Sequence, residues 1–192
     1  MKQKNIYTNM KRKLLFIDTE TGGVDSNFHS MLSIGLVVWS DGKIIDQKEI
    51  LVNDEVLNIS PQAIQLNKID IEEHKKVALV GFDVIKEMKE FIDKYFPKEI
   101  ITLAGHNVGF DVNFIRNFCH KYKFDYSGRF SHRSIDTSSI LQYLFDSGKL
   151  KKNIVSSDDA FEFFKIKIAK RHSALSDALN AAELYNKLIK FI

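Results

Sequence analysis

Residues 14–23 read LLFIDTETGG, an apolar run that ends in Asp18 and Glu20 and then breaks at Gly22 and Gly23. The run has the composition of a buried strand, and on a strand residues i and i+2 share a face. Two carboxylates therefore sit close together where a core strand stops. Like charges at that separation persist if one carboxyl stays protonated, if a cation sits between them, or if both are solvated at the strand end.

The pattern that follows decides the fold class. MLSIGLVVWS and KIIDQKEILVN are joined by Asp41-Gly42, the two-residue signal for a type I′ hairpin, so the first three strands are expected to form an antiparallel meander. Ser60-Pro61 supplies an N-cap and a proline at the first helical position, opening a short helix to about Lys68. Val84, Ile85, Met88, Phe91, Ile92 and Tyr95 recur at helical spacing, predicting a helix from Val80 to Tyr95 with Pro97 beyond its end. A short strand from Ile100 to Ala104, the loop GHNVGF and a helix from about Asp111 form a strand-loop-helix unit. Arg133 to Asp136 reads as a strand, Thr137 to Phe145 and Asp158 to Phe164 as helices, and Ser173 to Ile192 as a closing helix. Strands first in a hairpin and then alternating with helices imply an α/β protein whose mixed sheet, an antiparallel meander plus parallel strands, is flanked by α-helices.

With 192 residues and two prolines, one domain over residues 1–192 is expected, residues 1–12 forming a flexible basic segment. No apolar run reaches the length of a membrane span, and MKQKNIYTNMKRK lacks the apolar stretch of a signal peptide, so a cytoplasmic protein with no membrane partner is expected. The single cysteine, Cys119, has no intrachain partner and reads as a small core residue. The net charge of +3 is unevenly spread: Lys2, Lys4, Lys11, Arg12 and Lys13 precede the first strand, and Lys165, Lys167, Lys170 and Arg171 precede the last helix. Each cluster either meets phosphates or is a solvated flank of a core element.

Two further acids join Asp18 and Glu20. Asp111 follows a strand at the head of a helix, where an N-cap role is an equal alternative, and Asp177 lies in the first turns of the last helix, where the helix dipole also favours an acid. Asp70 and Glu72 repeat the Asp-x-Glu spacing but lie in a polar run between helices and read as a solvated face. In sheets with helical crossovers, sites form at strand ends, so Asp18, Glu20, Asp111 and Asp177 can converge. Four oxygen donors without soft ligands suit Mg²⁺ or Mn²⁺, and two such ions about 4 Å apart form a clamp for phosphodiester displacement. His172 precedes Asp177 by five residues, about 140° of turn on a continuous helix, so joint action requires His172 to lie in the loop or cap before the helix. His29, His74, His120 and His132 fall in polar stretches and read as surface residues.

Three segments resemble the motifs of the DEDDh, or DnaQ-like, 3′–5′ exonucleases: IDTETGG the first, GHNVGFD the second and HSALSDA the third, in order and across nearly the whole chain. The resemblance implies a ribonuclease H-like fold and two-metal hydrolysis that releases nucleoside 5′-monophosphates from the 3′ end of single-stranded nucleic acid, with DNA ahead of RNA. It implies that Asp18 bridges two divalent cations, that Glu20 and Asp177 hold the nucleophile-side ion, and that Asp111 holds the other partly through water. His172 is the implied general base, accepting a proton from the attacking water. Thr19, Thr21, Gly22, His106, Asn107 and Phe110 match positions that shape the family's 3′-end pocket. The chain departs from the family's usual Thr-Thr-Gly with Thr21-Gly22-Gly23, and it ends directly after the last helix, which leads us to expect a stand-alone enzyme without a polymerase-tethering tail, as a monomer or homodimer. The rival readings are the same chemistry on RNA ends, as in ribonuclease T-like members, and a non-catalytic nucleic-acid-binding module.

Overall fold

The computed structural model describes residues 12–168 and 173–191. Six strands form one sheet: β1 (Lys13–Thr21), β2 (Met31–Ser40), β3 (Lys43–Asn53), β4 (Leu79–Val80), β5 (Ile101–Gly105) and β6 (Phe130–Asp136), in the spatial order β4-β3-β2-β1-β5-β6. β1, β2 and β3 pair antiparallel, and β1-β5, β5-β6 and β3-β4 pair parallel. The expected meander and mixed sheet are both present. Asp41 and Gly42 take φ of 48° and 83°, the left-handed pair that a type I′ turn demands.

Helices cover both faces. α1 (Pro61–Asn67) and α2 (Ile71–Val77) lie before β4; α3 (Gly81–Tyr95) precedes β5, and α4 (Gly109–Lys121) and α5 (Tyr126–Arg129) precede β6. α6 (Thr137–Asp146), α7 (Ser157–Phe163) and α8 (Ala174–Phe191) complete the described chain. Side-chain alternation along β1 sorts the core. Leu15 and Ile17 pack with β2, β3, α3 and α4 on one face, whereas Leu14 and Phe16 pack with Val37, Trp39 and the α8 residues Ala178, Ala181 and Tyr185 on the other. Leu184 and Leu188 of α8 meet α6 and α7 in a third cluster. β2 is buried on both faces along nearly all its length, which explains its unbroken apolar run.

Several expectations change. α2 was absent from the sequence reading because IEEHKKV lacks an apolar stripe; Asp70 is exposed, as expected, but also caps α2 by accepting from Glu72 N and Glu73 N. β4 and α5 were missed too, being two and four residues long. β6 begins at Phe130 rather than Arg133. His74 is buried, its Nε2 2.9 Å from the Val52 carbonyl oxygen, and His29 is half-buried against Gly23. Cys119 is a core residue, and burial pushes its thiol up to about 12. No described helix is long and apolar enough to cross a membrane.

Candidate active site

β1 carries the site because its two neighbours end at different points. Its parallel pairing with β5 covers only Leu15 with Leu103 and Phe16 with Ala104, while its antiparallel pairing with β2 continues to Thr21. Beyond Phe16 the β5 side opens into a cleft at the carboxyl end of the parallel pair, the place where sheets of this kind bind ligands. Asp18, Thr19 and Glu20 line it.

Asp18 and Glu20 project toward the face covered by α8, and the first turn of α8 brings Asp177 to them. Ligand oxygens of these three acids lie within 4.8 Å of one another, Glu20 buried and the other two half-buried. Three carboxylates this close repel one another, and an all-oxygen donor set of this kind suits a hard divalent ion. The residues present fit such an ion.

Asp111 reaches the same cleft from the opposite face of the sheet. It is not the cap of α4: Val108 occupies that position, and Asp111 stands third in the helix. Its Oδ1 accepts from Thr19 N at 2.8 Å and from Thr19 Oγ1 at 2.7 Å, both inside the core. The Thr19 amide faces the side of β1 that β5 has vacated, so Asp111 satisfies a donor that the sheet leaves unpaired. Burial pushes the Asp111 carboxyl up to about 7, against the lowering effect of the two Thr19 hydrogen bonds. With both donors on Oδ1, Oδ2 is the oxygen available to a cation.

Asp18, Glu20, Asp111 and Asp177 line one cavity of about 410 Å³ together with His106 and Phe110. A second cavity of about 500 Å³ adjoins it, sharing Thr19, Glu20, Leu66, Asn67 and Phe110. Its far wall is largely apolar, with Val24 from the β1–β2 loop and Ala63 from α1.

The remaining residues singled out in the sequence take varied positions. Thr19 lines both cavities, yet its hydroxyl is committed to Asp111. The Thr21 hydroxyl donates to the Gly23 carbonyl oxygen and shapes the turn. Gly22 is a close-approach glycine, since a Cβ there would lie 2.2 Å from the Asn58 carbonyl oxygen. Gly23, the departure from the usual motif, lies under the His29 ring. His106 Nδ1 lies 2.9 Å from the Thr137 hydroxyl oxygen. Asn107 takes a left-handed φ of 56°, and its amide donates to Asp136. His172 lies outside the described residues, as do Lys2, Lys4, Lys11, Lys170 and Arg171. Lys13 bonds the Tyr95 carbonyl oxygen and Glu99 at the far end of β1, roughly 17 Å along the strand from Asp18, so it does not reach the cleft.

The sequence reading missed Leu66 and Asn67 on α1, and Ser157 and Phe161 on α7, all of which line the carboxylate cavity. Asn67 donates to the Thr21 carbonyl oxygen at 2.9 Å, which ties α1 to the end of β1. The Ser60-Pro61 signal located α1, but no local pattern places it against β1.

The chain matches the exonuclease family model RNase T over residues 15–185. It is 27% identical over 181 residues to a PolC-type DNA polymerase III of Caldanaerobacter subterraneus, covering 94% of this chain but only 12% of that protein. It is 23% identical over 191 residues to ribonuclease T of Histophilus somni, covering 93% of this chain and 84% of the relative. Its fold superimposes on E. coli exonuclease I in complex with a dT13 oligonucleotide with a TM-score of 0.76 at 17% identity, over 93% of this chain and 41% of the other. With its mixed sheet and its motifs spread through the matched span, the chain belongs to the exonuclease family, as a DEDDh, DnaQ-like member with the ribonuclease H-like fold.

Proposed function

We propose that the chain removes nucleoside 5′-monophosphates from the 3′ ends of single-stranded DNA by two-metal hydrolysis with Mg²⁺ or Mn²⁺. The observation that carries this reading is the set of three carboxylates within 4.8 Å at the mouth of a cavity, with the separately held Asp111 facing the same space. Asp18, Glu20 and Asp177 would hold one ion, and Asp18 with Asp111 the other. Bound divalent ions would supply charge neutralisation of the scissile phosphate and activation of the attacking water. His172 would take the proton from that water.

The adjoining cavity supports action on an unpaired end. Bounded by α1 and the β1–β2 loop, it has room for one nucleotide, with Leu66, Val24 and Phe110 offering apolar contact to a base. A paired terminal base would have to leave its duplex first. The dT13 complex of the superimposable exonuclease I favours DNA. A second reading, hydrolysis of RNA ends, is favoured by the identity to ribonuclease T over most of that protein's length.

The test is digestion of 5′-labelled single-stranded DNA and RNA of one sequence, with and without Mg²⁺. Ladders shortening from the 3′ end, abolished by EDTA and by Asp18→Ala, are expected. Full activity in excess EDTA, or wild-type rate in Asp18→Ala, would overturn the assignment. Faster RNA than DNA turnover would transfer it to the second reading.

A further inference from the structure

The β1–β2 loop, residues 22–30, is a thin wall between two cavities. In front lies the cavity of about 500 Å³ proposed for the terminal nucleotide, to which the loop contributes Gly23, Val24 and His29. Behind it lies a further cavity of about 390 Å³, to which the loop contributes Asn27, Phe28 and the same His29. With open space on both sides, packing alone does not fix the loop. Val24 is 84% exposed, and the Phe28 ring, 63% exposed, meets the His29 ring within the loop itself.

Hydrogen bonds place it instead, and most of them are internal. Gly22 N donates to the Ser30 carbonyl oxygen and closes the loop at its base, while Phe28 N and His29 N both donate to the Asp25 carbonyl oxygen. Asp25 Oδ1 accepts from Asn27 N and Nδ2. These bonds shape the loop without attaching its tip to the body of the protein. Among the described residues, the hydrogen bonds that attach residues 24–28 come from one side chain, Asn117 of α4. Its Nδ2 donates to the Ser26 carbonyl oxygen at 2.9 Å, with Ser26 Oγ at 3.1 Å and Asn27 Oδ1 at 3.2 Å. The Ser26 carbonyl oxygen can only accept, so the amide nitrogen of Asn117, not its oxygen, must face the loop. Phe114, Ile115, Phe118 and Cys119 bury α4 in the core on either side of Asn117, which makes the anchor rigid.

We infer that Asn117 is a positioning residue for the nucleotide cavity: it ties the β1–β2 loop to α4 and so sets the grip on the 3′-terminal nucleotide. The identity of that ligand rests on the exonuclease reading. Asp18, Glu20, Asp111 and Asp177 lie on β1, α4 and α8 rather than on the loop, so releasing the loop reaches binding and leaves the chemical step alone.

Two readouts test this. Hydrogen exchange over residues 23–29 measures the tether with no substrate present. Asn117→Ala removes the donor at a helical position where alanine is favourable, and Asn117→Asp keeps the shape but turns an acceptor toward the Ser26 carbonyl oxygen. Both should speed exchange in this segment, the second more than the first, with Tm lowered by no more than about 2–4 °C. Affinity for thymidine 5′-monophosphate in Mn²⁺ should weaken by about tenfold, the scale of one or two hydrogen bonds. KM on single-stranded DNA should rise equally with kcat within about twofold of wild type, the pattern of lost uniform binding. Asn117→Gln, which keeps the N–H donors on a longer arm, should recover part of each loss. Unchanged exchange in Asn117→Ala overturns the tether. Faster exchange with unchanged nucleotide affinity and KM, or a fall confined to kcat, overturns its role in the cavity. Nucleotide binding needs no turnover, so a wild type that digests nothing yet binds the monophosphate in an Asn117-dependent way would defeat the exonuclease reading and leave the inference standing.

Discussion

Gly35 and Ala174 touch through their backbones: a Cβ on Gly35 would lie 2.2 Å from the Ala174 carbonyl oxygen. Gly35 pairs directly with Asp18 across β1 and β2, so the missing side chain is what lets the start of α8 settle onto the sheet beside that acid. Asp177 is one turn further along the same helix. Gly35→Ala should therefore lift the first turn of α8, separate Asp177 from Asp18 and Glu20, and cost about 1–3 kcal/mol through overpacking. Thermal unfolding and Mn²⁺ titration check this together. A variant with unchanged metal affinity would show that α8 is positioned by other contacts.

A second contact anchors the same turn. Glu49 pairs with Gly35 from β3, and its Oε1 accepts from Ser173 Oγ at 3.2 Å and from Leu175 N at 3.4 Å. Asp18, Gly35 and Glu49 thus form a row across three strands under α8, with the outer acid acting as a helix cap supplied by the sheet. Glu49→Ala should cost about 1 kcal/mol, a fall of roughly 2–4 °C in Tm, and should weaken metal binding more than an equally destabilising change at an α3 surface site. Glu49→Gln, which keeps an acceptor oxygen, should recover most of the loss.

This row also marks what was legible in the sequence. The hairpin was readable because positive φ at Asp41 and Gly42 admits few residue types, and the pairing of Asp18 with Glu20 followed from the two-residue period of a strand. The same period places Thr19 on the other face, toward Asp111, although the motif resemblance assigned it to substrate. Gly35 and Glu49 were not readable, since a glycine in a strand and an acid on an exposed strand face gain their roles only when α8 docks. Leu66, Asn67, Ser157 and Phe161 arrive at the cavity in the same way, on short helices whose placement is set by tertiary contact. α2 escaped notice because IEEHKKV carries no apolar stripe; its Asp70 cap and its exposed Glu72–Lys75 and Glu73–Lys76 pairs leave no such pattern.

Asp111 predicts a pH dependence of the metal-free protein. Burial pushes its carboxyl up to about 7 in the folded protein, against an ordinary value of 3.8. A raised pKa means that folding favours the protonated form, so the contribution is intact below about pH 4 and is lost as pH rises through 7. Three units correspond to about 4 kcal/mol at most. In EDTA, Tm should fall between pH 5 and 7.5, and the fall should be shallower in Asp111→Asn, whose amide oxygen still accepts from Thr19. Divalent ions should raise Tm of the wild type more at pH 7.5 than at pH 5. Parallel pH profiles for wild type and Asp111→Asn would refute the assignment of the titration to Asp111.

The last prediction separates the two histidines that the motifs bring forward. A general base must hold a proton during the reaction, which is easier when the other ring nitrogen faces a carboxylate that stabilises the imidazolium. His106 Nδ1 lies 2.9 Å from a neutral hydroxyl, Thr137 Oγ1, a contact that orients the ring. The general-base role is proposed for His172 from its place ahead of Asp177 in the HSALSDA segment. His172→Ala should lower kcat by about 10²–10⁴ while Mn²⁺ binding stays near normal, and it should flatten the rise in rate around pH 6–7 that titration of the base produces. His106→Ala should cost only about tenfold, the scale of one hydrogen bond, and keep that rise. If His172→Ala retains more than a tenth of the wild-type kcat while folded His106→Ala loses nearly all of it, the two roles are exchanged, and the Thr137 hydroxyl would have to serve as the orienting partner of the base.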